Sequence, residues 1–356
     1  MKASGTISEK LKHTIVSVAN LNNAEVTATI SAEVLAVTGL PAQDISEIKK
    51  GGSRRRIFRI KHSDNKTLIC VIYDAVVAEN VIFAPLSAFL QGVGISVPQI
   101  ISFNKAENII LMQDLGDEDL FSFATASHEE QVAQYSATLR EVRKLHTLEL
   151  KTFPINEIAL MPSFSHELYR WERNYFWEHF ICRIVDKNAP AKIPADLEAE
   201  LTMLADNLLA FPASLIHRDF QSQNVMVHQG KPFLIDFQGM RLGNPFYDVA
   251  SLLYDPYRTL DEATRNELFL YYCDISQLSQ PVTKLKKQFL DASLQRLLQA
   301  LGAYGFLSEV VGNHHFRQYI PQAICNLQTV ILQTESYPKI SHFILSLDKK
   351  RFSTKI

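Results

Sequence analysis

The sequence predicts an α+β protein in two lobes, a small strand-rich lobe over residues 1–115 and a larger helical lobe over residues 116–356. Three observations predict it. Between residues 45 and 115 the apolar positions run mostly with the period of strands, interrupted by one helical stretch. Beyond that region the period is almost everywhere helical. One short segment, 215–238, returns to strand-like runs around a polar loop. A chain of 356 residues is long enough to give each lobe its own core. Hydrophobic residues make up 47% and charged residues 21%, which fits a folded soluble protein and not extended disorder.

The elements follow in order. Residues 1–45 carry two short helix-like stretches, the second stopped by Gly39, Leu40 and Pro41. Strands are expected at 56–60 and 68–73, joined by a turn at 63–66, and again at 109–113, just before Asp114-Leu115-Gly116-Asp117. A helix is expected at 78–91. Helical spacing returns at 131–148, where Leu139, Val142 and His146 share a face, at 166–185, and from Asp261 almost to the end. No internal repeat or low-complexity linker interrupts the chain.

Composition narrows the function. A formal net charge of -2 argues against a general nucleic-acid binder, while leaving room for a nucleotide site built from a few local donors. The first residues lack the apolar core of a signal peptide, and no run of eighteen apolar residues suggests a membrane span, so a cytoplasmic protein without membrane partners is expected. Cys70, Cys182, Cys273 and Cys325 are scattered without a CxxC pair, which reads as free thiols and not as a zinc site or disulfide framework.

The chemistry concentrates in Leu215-Ile216-His217-Arg218-Asp219-Phe220-Gln221-Ser222-Gln223-Asn224-Val225 and Leu234-Ile235-Asp236-Phe237-Gln238. Apolar runs flank a polar loop and then lead into an acid, as two small strands would if they held Asp219, Asn224 and Asp236 around one cleft. Phosphoryl transfer needs a group that orients or deprotonates the attacking hydroxyl and oxygen ligands for magnesium. Asp219 suits the first task; Asn224 and Asp236 suit the second, because Mg²⁺ takes hard oxygen donors and few protein carboxylates. Either motif alone has a structural reading, as a capped turn with an ion pair or as a strand end. Their order, with Asn at the fifth position after the first Asp, makes the combination specific.

On these motifs the chain resembles the aminoglycoside phosphotransferase family, small-molecule relatives of the protein kinases. Within it, the sequence is most similar to the branch that phosphorylates the anomeric hydroxyl of N-acetylmuramate and N-acetylglucosamine in cell-wall recycling. Further support comes from Gly51-Gly52-Ser53-Arg54-Arg55-Arg56, Met112-Gln113-Asp114-Leu115, Tyr247-Asp248-Val249-Ala250 and Gln295-Arg296-Leu297-Leu298-Gln299, so the resemblance covers nearly everything after residue 45. It implies a protein-kinase-like fold, ATP or GTP as donor with Mg²⁺, Asp219 as catalytic aspartate, and Asn224 and Asp236 as metal ligands. It also implies that Gly51, Gly52 and Ser53 turn near the phosphates and that Gln113, Asp114 and Leu115 form a hinge offering backbone groups to the base. GGSRRR is neither a P-loop nor GxGxxG, and an ordinary β-turn is its alternative reading. The third strand lacks the protein-kinase lysine, which leaves Arg56, Arg59 or Lys61 to meet phosphate charge.

Around this centre, His217 is expected to brace the loop, Arg218 to pair with a carboxylate, and Asp248 to cap a helix or brace the loop. Gln238 replaces the last Gly of a DFG motif and suggests a less mobile metal loop. Residues 169–178 mix aromatic surface with polar groups, which suits a sugar. Glu172 and Arg173 are the expected substrate contacts, with an amphipathic packed helix as the alternative. N-acetylmuramate would need a cation for its carboxylate, from Arg170, Arg173 or Arg241. A polycationic aminoglycoside would need an acidic pocket, to which Asp117, Glu118, Asp119, Glu129 and Glu130 could contribute. Choline and homoserine kinases, and an inactive nucleotide-binding scaffold, are the remaining alternatives.

Overall fold

The structure, a computed structural model, describes residues 22–48, 55–63, 66–125 and 127–348. The chain divides into two compact units, Met1–Ala84 with Gln99–Asp114 and Pro85–Pro98 with Leu115–Ile356. Among the described residues no helix is long and apolar enough to cross a membrane.

Among the described residues of the first unit, a long helix packs on a five-stranded antiparallel sheet. Helix α1 (Asn23–Thr38) starts at a capping box in which Asn22 and Glu25 exchange side-chain-to-backbone hydrogen bonds, and it stops at Gly39 with φ 71°. The strands are β1 (Asp44–Ile48), β2 (Arg56–Ser63), β3 (Lys66–Ile72), β4 (Ile100–Asn104) and β5 (Ile109–Gln113), in the order β1-β2-β3-β5-β4. Val26, Ile30 and Val34 recur four residues apart on α1 and pack on Phe58, Ile60, Cys70, Ile72, Ile109 and Leu111 of β2, β3 and β5. Each such aliphatic side chain contributes about 1.5–3 kcal/mol by leaving water.

The expected helix at 78–91 is two helices, α2 (Ala78–Val81) and α3 (Phe83–Gly92). Residues 85–98 cluster with the second unit although strands of the first flank them in sequence. The contacts explain this. The Ser96 N–H donates to Glu141 at 2.5 Å, the Leu234 N–H donates to the Ser96 carbonyl at 2.8 Å, and the Phe89 ring meets Phe153 edge-on at 4.9 Å.

The second unit is built on helices α4 (His128–His146), α5 (His166–Phe176), α6 (Ala195–Leu209), α7 (Phe246–Leu253), α8 (Glu262–Ile275), α9 (Val282–Glu309), α10 (Ile320–Ile331) and α11 (Pro338–Leu345). The expected helix at 166–185 changes winding at Trp177 and continues as a π-helix, Trp177–Val185. The long helix α9 is buried over most of its length, and α5, the π-helix, α7 and α10 all pack on it. Gly305 permits the closest approach, since a Cβ there would strike the His179 carbonyl. Two small antiparallel ribbons complete the unit. In one, β6 (Ser214–Ile216) pairs with β9 (Arg241–Gly243) and sets Ile216 opposite Arg241. In the other, β7 (Val225–His228) pairs with β8 (Lys231–Leu234) through a two-residue turn, Gln229 and Gly230, both at positive φ.

Candidate active site

The polar loop predicted to carry the chemistry leaves β6 at His217 and enters β7 at Val225. Such a loop exposes backbone donors that need partners once buried. Two fully buried acids, one in α7 and one just beyond it, supply them. Asp248, in the first turn of α7, accepts the His217 N–H at 2.6 Å, the Arg218 N–H at 2.8 Å and His146 Nε2 at 3.0 Å. It therefore braces the loop, one of its two expected roles; the N-cap position belongs to Pro245. His146 also meets the Tyr272 hydroxyl through Nδ1 at 2.8 Å, so both ring nitrogens are engaged. Asp255, just beyond α7, accepts the Ser222 N–H at 2.8 Å, the Ser222 hydroxyl at 2.6 Å and the Tyr257 N–H at 2.9 Å. The loop is thus held near both ends. Its strained point is Arg218, a non-glycine residue at φ 77°, a conformation that persists only where the surroundings fix it.

Asn224 and Asp236 come together through the β7–β8 ribbon. Val225 lies opposite Leu234, and the Ile235 N–H donates to the Asn224 carbonyl at 3.0 Å, which leaves Asp236 one residue beyond the pairing. Asp236 also sits at positive φ, 62°. The buried His217 ring ties the two segments through Nε2 and the Ile235 carbonyl, 2.9 Å apart. Asn224 Nδ2 donates to the Asp219 carbonyl at 2.8 Å, which orients the amide and leaves Oδ1 without a hydrogen-bond partner among the described residues. Gln238 Nε2 donates to Asp236 Oδ1 at 2.8 Å, so the residue in place of glycine anchors the acid.

The Asp219 carboxylate accepts Arg218 Nη1 at 2.7 Å and keeps 26% of its side-chain surface exposed. Burial pushes this carboxyl up, but the Arg218 and Arg296 guanidinium groups and the Arg218 hydrogen bond outweigh it and hold it below the usual carboxylate range. The turn Phe237–Gly239 runs alongside: a Cβ on Gly239 would lie 3.6 Å from Asp219 Oδ2. Asp219, Asn224 and Asp236 therefore share one small region of the second unit. Among the described residues no group of three or more His, Cys, Asp or Glu side chains is arranged to hold a metal. One carboxylate and one amide oxygen are too few for a resident metal cage. They fit a magnesium ion that takes its other ligands from phosphate and water.

Glu172 and Arg173, neighbours on α5, go to different places. Glu172 is fully buried and accepts the Tyr247 hydroxyl at 3.1 Å and Gln295 Nε2 at 2.9 Å. Burial pushes its carboxyl up, against the opposing pull of Arg218, the two hydrogen bonds and Arg296. Arg173 is buried toward α6, where it pairs with Glu198 and donates to Thr202. In the first unit Arg59 grips Asp114 through two hydrogen bonds of 2.7 and 3.1 Å, and Arg56 pairs with Glu47 at 2.9 Å. Gln113 lies opposite Leu68 of β3, and the chain passes from one unit to the other between Asp114 and Leu115. Gly51, Gly52 and Ser53 lie outside the described residues.

Sequence reasoning assigned no role to Asp255 and left Arg296 and Tyr247 as unexplained parts of a pattern. Arg296, on α9, donates to Ser251 at 2.8 Å and Gln299 at 2.5 Å and is 7% exposed. The available signal was a lone charge, since Arg296 is the only charged residue between Asp291 and Glu309.

A family model for phosphotransferase enzymes matches residues 44–282. An N-acetylmuramate/N-acetylglucosamine kinase of Neisseria meningitidis serogroup B is 26% identical over 283 residues, 78% of this chain and 82% of that protein. Among solved structures, an ethanolamine kinase of Plasmodium vivax superposes with a TM-score of 0.61 at 16% identity, over 88% of this chain and 91% of that one. An ADP-bound aminoglycoside phosphotransferase gives 0.57 at 14% identity, over 86% and 98%. The fold, with its small antiparallel sheet and larger helical part, is protein-kinase-like.

Proposed function

Because the chain belongs to the phosphotransferase enzyme family, we propose that it moves the γ-phosphoryl group of ATP to a sugar hydroxyl, the anomeric hydroxyl of N-acetylmuramate or N-acetylglucosamine. The observation that carries this reading is Asp219: an ionised carboxylate on a doubly braced loop, with Asn224 and Asp236 fixed beside it by a strand pairing. Asp219 takes the hydroxyl as hydrogen-bond partner and aims its oxygen at the γ-phosphorus. The new P–O bond forms as the bond to the β,γ-bridging oxygen breaks, ADP leaves, and the hydroxyl proton ends on Asp219. A carboxylate held below its usual range is a weak base, so its main contribution is orientation. That suffices for a loose phosphoryl-transfer transition state, where the proton moves late. A magnesium ion on Asn224 Oδ1 and the Asp236 carboxylate would neutralise phosphate charge.

The acceptor assignment leans on the name of the Neisseria relative and on local charge. Three guanidinium groups, of Arg218, Arg241 and Arg296, act on Asp219 or on one another, and such surroundings repel a polycationic aminoglycoside. Of the acids that might have attracted one, Asp119 is buried and accepts the Ser122 N–H.

The test is Mg²⁺-dependent transfer from ATP to N-acetylmuramate, N-acetylglucosamine, an aminoglycoside, choline and a no-acceptor control, with the product position assigned by NMR. The expected result is a sugar 1-phosphate from one or both amino sugars. Turnover with only the aminoglycoside or choline contradicts the assignment.

A further inference from the structure

Arg241 stands apart from the other arginines of the site. It is 7% exposed, and its Cζ lies 5.8 Å from the centre of the Phe164 ring. Its Nε donates to the Gly239 carbonyl at 3.0 Å. Its two Nη groups have no protein hydrogen-bond partner among the described residues, and they are not among the polar atoms sealed from solvent. Arg218, in contrast, holds Asp219, and Arg296 holds Ser251 and Gln299. Glu172, the nearby carboxyl that might have neutralised Arg241, is held by Tyr247 and Gln295.

The position is defined by the backbone. Arg241 faces Ile216 across the β6–β9 ribbon, two residues from the start of the Arg218-Asp219 turn, and it follows the Phe237–Gly239 turn that runs beside the Asp219 carboxylate. Burial and the neighbouring Arg218 guanidinium lower the proton affinity of Arg241, while Glu172 and Asp219, on the hydroxyl-orienting side, oppose them. A buried guanidinium with its terminal edge open presents two parallel N–H donors, the geometry that grips a carboxylate with both oxygens. Of the three cations considered from the sequence for such a role, Arg173 is engaged by Glu198, and Arg170 lies exposed on α5, about 200° around the helix from Glu172.

We infer that Arg241 is the specificity residue for the acceptor: its open Nη edge binds a carboxylate on the sugar, so the site favours an acidic amino sugar such as N-acetylmuramate over neutral N-acetylglucosamine. The inference rests on the sugar-kinase reading above and deepens it.

The test begins with the intact enzyme, so no variant needs to fold. KM is measured for N-acetylmuramate, for its lactyl methyl ester and for N-acetylglucosamine. Losing a hydrogen-bonded ion pair should raise KM about ten- to hundredfold for the ester. Arg241→Gln and Arg241→Lys should then lower the ratio of kcat/KM for the acid over that for the neutral sugar, about tenfold or more for Gln. The acid–ester difference should shrink in parallel, with the KM for ATP moving less than that for the acid. Equal KM values for acid and ester in the intact enzyme overturn the inference while leaving the kinase reading standing. So does a variant whose main defect is in KM for ATP, which would place Arg241 on the nucleotide phosphates. Transfer to none of the three sugars overturns both.

Discussion

At the scale of single residues, the site separates charges that must stay ionised from charges that need not. Asp219 keeps its charge because two arginines outweigh burial, whereas burial wins at Glu172. The sign at Glu172 follows. Its folded-state affinity for a proton exceeds that of the unfolded chain, so its contribution to stability is fully present below the unfolded value near 4.5 and is lost as pH rises through the higher folded value. Glu172→Gln mimics the protonated acid. Thermal midpoints of variant and parent should therefore diverge in the variant's favour between pH 5 and pH 8, and a difference that narrows or reverses with rising pH would refute this assignment. The placement of Glu172 and Arg173 also marks a limit of reading residues singly. Consecutive helical positions point about 100° apart, and only packing decides which one meets α6 and which meets Tyr247.

At the scale of elements, what was legible was local. Asp219, Asn224 and Asp236 could be singled out because the loop, the β7–β8 ribbon and the acid after it lie within some twenty residues, with apolar runs marking both strands. The edge strands β1 and β4 were not anticipated: each has five residues, none of them buried, and offers little alternation to detect. Around α7 only the bracing by Asp248 was anticipated; that by Asp255, just beyond the helix, was hidden, since the two acids meet the loop 31 and 33 residues away in sequence. Treating α7 as the clamp gives a clear expectation. Asp248→Asn turns an amide donor toward one of two buried backbone N–H groups and should cost about 2–4 kcal/mol. A urea titration at neutral pH measures it, and a loss below about 0.5 kcal/mol would show that the loop holds itself.

At the scale of the molecule, the chain passes between its two units at Asp114 and Leu115, and the sequence signal nearby is a change of hydrophobic period. It did not reveal that residues 85–98 join the helical unit, because that choice depends on Glu141, Leu234 and Phe153, all distant in sequence. Asp219, Asn224 and Asp236, their braces and Arg241 all belong to the second unit, so the central claim concerns one loop in that unit. It is tested most directly by Asp219→Asn, which keeps the shape of the side chain while removing its charge. Phosphoryl transfer from Mg·ATP to N-acetylmuramate is followed by phosphorus NMR for parent and variant, with nucleotide binding checked by calorimetry. The account predicts that the variant binds nucleotide like the parent and forms the sugar phosphate at least about 10²-fold more slowly. Product formed by the variant at the parent's rate would contradict it.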